Sequence, residues 1–253
     1  MGNTPQYSKP AGTMRLGPYE FSPGLWPSLA TLLLLPLLTG LGVWQLQRAD
    51  WKQALVDAHS ARATMAPLVL STLQGFDEPL QYRRATARGV YDNAHQLLLD
   101  NRTWQGRAGY HVLTPLRLSA TDEVVLVNRG WVPLGPSRAE LPEVAAPVGE
   151  VVVSALLKLP PEKLFRLGEL DEMNAGWPKV VQQVEMTDLE QRLGVSLLPV
   201  LLLLDSDDPH GYARDWKPVY GVTPDKHRAY AVQWFTLAAV LLMIYIGVNS
   251  RRI

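Results

Sequence analysis

Two stretches of the chain are almost wholly hydrophobic. No charged residue occurs between Glu20 and Arg48, and the centre of that window, Leu29 to Leu46, carries Leu32, Leu33, Leu34 and Leu35 in a row. A second charge-free window lies between Arg228 and Arg251. A hydrocarbon core of about 30 Å needs about 20 apolar residues at a helical rise of 1.5 Å each. Both windows are long enough. Pro36 would break a soluble helix, but a membrane span tolerates the kink. The first window is longer than the ~7–15-residue core of a signal peptide and is followed by no small-x-small cleavage site, so it reads as a retained anchor. A third apolar run, Leu193 to Leu204, is too short to span and contains Pro199; it reads as a buried strand with its lead-in.

The pattern between the two windows changes to short runs. Trp51 to Met65 is rich in Ala, with Lys52 and Gln53 at its start, and predicts a helix continuing out of the first span. Strands are predicted over Tyr82 to Tyr91, Gln96 to Leu99, Tyr110 to Leu113, Val124 to Val127, Val151 to Leu157, Val180 to Val184 and Leu201 to Leu204. Gly106 and Gly109 around Arg107 predict a turn. Pro142, Pro147, Pro160 and Pro161 bracket connections. Thr187 and Glu190 resemble a capping box opening a short helix to Leu193, which Gly194 would end. Many short strands and few helices define the expected fold class. It is an α+β membrane protein whose two transmembrane helices flank a β-rich antiparallel sheet or small barrel. The expected boundaries are a tail over 1–24, a span over 25–47, a domain over 48–226, a second span over 227–248 and a tail over 249–253.

Charge then sets orientation and narrows the partners. Lys9 and Arg15 precede the first span, and Arg251 and Arg252 follow the second. The positive-inside rule puts both tails in the cytoplasm and the domain outside it, although Arg48 and Lys52 weaken the count. The formal net charge of +0 gives no reason to seek nucleic acid. With no cysteine, there is neither a disulfide nor a thiolate. No P-loop, Gly-rich dinucleotide turn, G-x-S-x-G elbow or H-E-x-x-H occurs, so no enzyme class has positive support. His59, His95, His111 and His210 are scattered and read as surface or satisfied histidines. Asp205, Asp207 and Asp208 read as a solvated acidic turn rather than a cation site.

The most distinctive chemistry sits at the ends of the two spans. On the first helix Trp44, Arg48 and Trp51 fall on one face, and Gly40 and Gly42 remove side chains where another helix could approach. On the second, His227, Tyr230 and Trp234 align at i, i+3 and i+7. Two readings stand side by side. In one, the aromatics form an ordinary interfacial belt and the cations snorkel to headgroups. In the other, His227 is an axial ligand to haem iron, Tyr230 and Trp234 lie along the porphyrin face, and Lys226 and Arg228 hold its propionates.

Four segments resemble the Surfeit locus protein 1 family of cytochrome c oxidase assembly factors. They are Leu41-Gly42-Val43-Trp44-Gln45-Leu46-Gln47-Arg48 through Trp51-Lys52; Leu99-Asp100-Asn101-Arg102 followed by Gly109-Tyr110-His111-Val112-Leu113-Thr114-Pro115-Leu116; Val127-Asn128-Arg129-Gly130-Trp131-Val132-Pro133; and Lys226-His227-Arg228-Ala229-Tyr230-Ala231-Val232-Gln233-Trp234-Phe235. They occur in family order and run from the first span to the second. The resemblance implies a two-span, non-enzymatic assembly factor of bacterial type in the cell inner membrane, with a periplasmic domain. It implies that the protein binds haem a as transient cargo and assists its insertion into oxidase subunit I, with His227 as the iron ligand. Tyr230, Trp234, Trp44 and Arg48 are the further candidate haem contacts. Cytochrome oxidase subunit I, haem a synthase and membrane lipid are the implied partners, and self-association into a homo-oligomer stays open. Lys226 departs from the pattern, since many members carry Asn before the histidine. Gly130 and Trp131 read as a turn glycine with a packed indole. Spacing gives Arg102 and Arg129 no support as binding residues. The alternative function is a haem-independent membrane scaffold that grips oxidase subunits, motivated by Gly40, Gly42, Ala231, Ala238 and Ala239 on the spans.

Overall fold

The computed structural model describes residues 14–135, 140–160, 176–216 and 221–253. Lys9 and Pro161 lie outside them. In chain order the elements are β1 (Met14–Leu16), β2 (Tyr19–Phe21), α1 (Leu25–Ala63), β3 (Leu68–Val69), β4 (Arg84–Tyr91), β5 (Leu97–Trp104), β6 (Arg107–Leu118), β7 (Val124–Pro133), β8 (Glu150–Lys158), β9 (Lys179–Val181), α2 (Met186–Leu193), β10 (Leu197–Leu204), α3 (Pro224–Asn249) and β11 (Ser250–Arg252). They form two compact units, Met1–Val56 with Val219–Ile253, and Asp57–Pro218.

The first unit holds α3 and all of α1 up to Val56. α1 has 39 residues and α3 has 26, and both are long and apolar enough to cross a membrane. Pro36 lies inside α1 without ending it. Thr223 caps α3 by accepting a hydrogen bond from the Lys226 amide, and Pro224 follows at the first helical position, where its missing N–H costs nothing. Beyond the helix ends the chain does something the sequence pattern does not predict. β1, β2 and β11 form a small antiparallel sheet in which Arg251 lies opposite Glu20. The Glu20 carboxylate, 8% exposed, accepts from Arg251 Nε at 2.8 Å and Nη2 at 2.6 Å. Strands of three residues carry too little periodicity to be read from sequence, and the two halves of this sheet come from opposite ends of the chain.

The second unit is a closed barrel. Strands β4, β8, β10, β7 and β6 follow one another, and β6 returns to β4. Alternation along each strand fills the interior with Ala85, Ala87, Leu116, Val127, Val153, Ala155, Leu157, Leu202 and Leu204. Closure occurs at Gly89, which pairs with both Leu118 and Val151; a Cβ there would lie 2.1 Å from the Arg117 carbonyl oxygen. β5 and β9 extend the sheet beyond β6, and a second apolar cluster with Leu97, Leu99, Leu113, Leu126 and Leu201 is covered by Leu189 of α2. The run read as a buried strand is β10, and Pro199 sits where its register with β7 shifts. β10 runs parallel to β7, a departure from the otherwise antiparallel barrel.

Each predicted strand is present, and β6 and β7 are much longer than their apolar runs suggest. Gln105 and Gly106, at φ 49° and 79°, make the hairpin between β5 and β6, so Gly109 belongs to the strand and not to the turn. α2 ends at Gly194 in the left-handed region as expected, but its N-cap is Glu185 and not Thr187.

Candidate functional site

Helices α1 and α3 pack antiparallel along a seam of small and polar residues. On α1 the buried positions are Thr31, Gly42, Ala49 and Lys52; on α3 they are His227, Ala231, Ala238 and Asn249. Steps of three, four, seven and eleven keep these residues on one stripe of each helix. At Gly42 a Cβ would lie 2.7 Å from Cε1 and Cζ of Phe235, so only glycine admits that ring. Gly40 has open space instead, and Ala239 is exposed. At the far end Ser28 Oγ meets the Tyr245 hydroxyl at 2.9 Å, and the Gly24 amide donates to Asn249 Oδ1 at 2.6 Å.

His227 lies on this seam and is 9% exposed. Its Nδ1 is 2.6 Å from Gln45 Oε1. An amide oxygen only accepts, so Nδ1 carries the proton and Nε2 keeps a lone pair. Nε2 has no hydrogen bond among the described residues. The positive charges of Lys52 and Arg48 bear on the ring. In metal-binding imidazoles the nitrogen that does not ligate is likewise fixed by such an outer hydrogen bond. Gln45 is the residue that sequence reading overlooked; it stands in the first family segment, but its role depends on the register of two helices.

The other candidate contacts are placed differently. Trp234 is half-buried, whereas Tyr230 is 48% and Trp44 54% exposed. Arg48 is exposed, with its guanidinium 4.4 Å from the Trp51 ring centre, in keeping with their shared face. Thus the seam brings Gly42 and Gln45 to Phe235 and His227, and leaves Trp44, Arg48 and Tyr230 on the outside of the pair.

The middle family segments build the barrel instead. The Trp131 indole occupies the space over Gly109 and donates to the Arg102 carbonyl at 3.0 Å. Gly130 is not in a turn. It sits inside β7 at φ 112°, where the backbone of Tyr212 and Ala213 crosses so closely that a Cβ would lie 2.8 Å from the Tyr212 carbonyl oxygen. Arg129, 2% exposed, donates to the His210 and Ala145 carbonyls and lies between the Tyr91 and Tyr212 rings. Burial raises the Tyr91 hydroxyl far above its usual range. The three aspartates each have a protein partner: Asp205 pairs with Arg84 of β4, Asp207 accepts from Ser206, and Asp208 accepts from the His210 amide.

Fold and site together define a protein whose two apolar helices, packed on each other, bracket a small closed β-barrel and present one orientated imidazole. A sequence model of the SURF1 family matches residues 32–239, and the chain belongs to that family. Among its relatives, a SURF1-like protein of Monosiga brevicollis is 28% identical over 87% of this chain and 87% of its own length. Surfeit locus protein 1 of Takifugu rubripes is 29% identical over 82% of this chain and 91% of its own. The cytochrome oxidase assembly protein SHY1 of Saccharomyces cerevisiae is 28% identical over 53% of this chain and 36% of its own length.

Proposed function

We propose that this protein is a membrane-anchored assembly factor for a haem-copper cytochrome oxidase, receiving haem a from its synthase and delivering it to subunit I. Family membership and the name of the yeast relative support oxidase assembly. The observation that carries the haem reading is the Nδ1–H bond from His227 to Gln45, which leaves Nε2 as a ready ligand. Haem a supplies the iron that an imidazole lone pair binds; Trp234 and the exposed Tyr230 offer apolar surface beside it, and Arg48 a charge for its propionates. With His227 only 9% exposed, iron reaches Nε2 only after neighbouring side chains shift. That cost weakens the site, which suits cargo that must be handed on.

Both helices lie in the bacterial inner membrane, with the two tails in the cytoplasm and the barrel in the periplasm. The scaffold alternative loses part of its motive, because Gly42, Ala231 and Ala238 are filled by the chain's own helix pair.

The test is the absorption spectrum of protein purified from cells that make haem a. A Soret band that disappears in His227→Ala is expected. Gln45→Leu keeps the ligand but frees its tautomer, and a loss of about 10–100-fold in haem affinity is expected for such an outer partner. No band above background, or an unchanged band in His227→Ala, overturns the ligand assignment.

A further inference from the structure

Strand register brings four nitrogen-bearing side chains to the outer face of the barrel. Arg102 of β5 pairs with Gly109, two residues before His111 on β6. Asn128 of β7 pairs with Leu113 of β6 and Leu203 of β10, and Leu201 of β10 pairs with Lys158 of β8. Cross-strand partners share a face, so Arg102, His111, Asn128 and Lys158 all lie on the side opposite the interior residues Leu116, Val127, Leu157 and Leu202.

Among the described residues the charges on this face are unbalanced. Burial holds all three below their usual proton affinities; the charge of Arg102 lowers Lys158 further, and Arg102 and Lys158 together lower His111. Asp100 acts on Arg102 in the opposite sense, one negative charge against two positive. Among the described residues neither Arg102 nor Lys158 has an ion pair, and Arg102 Nε is buried with no hydrogen-bond partner. Lys158 is nevertheless exposed, and Arg102 and His111 are half-buried, so the cluster is reachable from solvent.

The tautomer of His111 follows from a relay. The Gly130 amide donates to Asn128 Oδ1 at 3.1 Å, which turns Nδ2 of that amide toward His111 Nδ1 at 3.2 Å. Nδ1 therefore accepts, and the proton sits on Nε2. The Trp216 ring stands edge-on to the imidazole at 5.7 Å and is itself tied to the Leu204 carbonyl. The face thus offers a guanidinium fork, an ammonium and an imidazole N–H, which are all donors.

We propose that Arg102, Lys158 and His111 form a binding site for a carboxylate or phosphate oxyanion on the outer face of the barrel. The anion is free in solution or carried on a lipid headgroup. The site uses neither His227 nor haem, so it stands or falls separately from the haem reading.

The experiment follows the His111 imidazole nitrogens by NMR in the full chain with isotope-labelled histidine. Inorganic phosphate and citrate are titrated into protein in neutral lipid nanodiscs, and a second sample uses nanodiscs containing phosphatidic acid. A saturable shift of His111 Nε2 is expected in at least one arm: with phosphate or citrate for a soluble anion, with phosphatidic acid alone for a lipid. Arg102→Gln and Lys158→Gln should each weaken the apparent affinity about tenfold, the loss of one charge-assisted hydrogen bond. No saturable shift in either arm overturns the proposal. So does a shift that persists unchanged in a folded Arg102→Gln/Lys158→Gln double variant.

Discussion

His111 and His227 are held by opposite hydrogen bonds. Asn128 donates to one Nδ1 and Gln45 accepts from the other, so the protons sit on different nitrogens. His111 also carries a pH dependence. Burial and the neighbouring charges of Arg102 and Lys158 lower it from 6.5 to about 4. The unfolded chain then binds the proton more readily than the folded one between those values. Stability contributed by the neutral ring is complete above pH 6.5 and is lost as pH falls through 4, an effect on the order of 2–3 kcal/mol. Denaturant titration of the full chain should show this acid loss, and His111→Gln should flatten it over the same interval. His111, Asn128, Gln45 and His227 all stand in the family segments. The two tautomers were not legible there, because each is decided by an amide on another strand or helix.

At the scale of elements, the closest approach of a ring across the α1–α3 seam is admitted by one glycine. Gly40 and Gly42 look equivalent in sequence, yet only Gly42 faces Phe235. Gly42→Leu should separate the helices at that level and cost about 1–3 kcal/mol by overpacking. Adding Phe235→Ala should recover part of the loss. The thermal midpoint of the detergent-solubilised chain reads both, and Gly40→Leu serves as the comparison that leaves it nearly unchanged. The strands illustrate the same limit. Val124 to Val127 is readable as an apolar run, but β7 continues through Asn128, Arg129 and Gly130 to Pro133. That extension mixes polar and apolar residues and is held by the 210–213 segment: the Trp131 amide donates to the Ala213 carbonyl and the Tyr212 amide to the Arg129 carbonyl, both at 2.6 Å. A pattern of hydrophobicity cannot report hydrogen bonds supplied from a distant loop.

For the whole molecule, the absence of cysteine makes topology directly measurable. Single cysteines placed by Tyr19→Cys and Val148→Cys, at positions 51% and 96% exposed, offer one reporter in each unit. In intact spheroplasts a membrane-impermeant maleimide should label position 148, and position 19 only after lysis. The reverse pattern, or labelling of both from outside, contradicts the proposed orientation.

The chain alone determined that two apolar helices bracket a strand-rich domain, because span length and alternation are local properties of composition and order. It also marked His227 as the residue to watch. Only the tertiary structure decided that the domain closes into a barrel through β4 and β6, that β7 and β10 run parallel, and that Glu20 and Arg251 join the chain's two ends in one sheet. The same holds for Gln45 as the partner of His227 and for the convergence of Arg102, His111 and Lys158. Each of these depends on the register between segments far apart in the chain. Register is set by how whole faces pack, and no single segment contains that information.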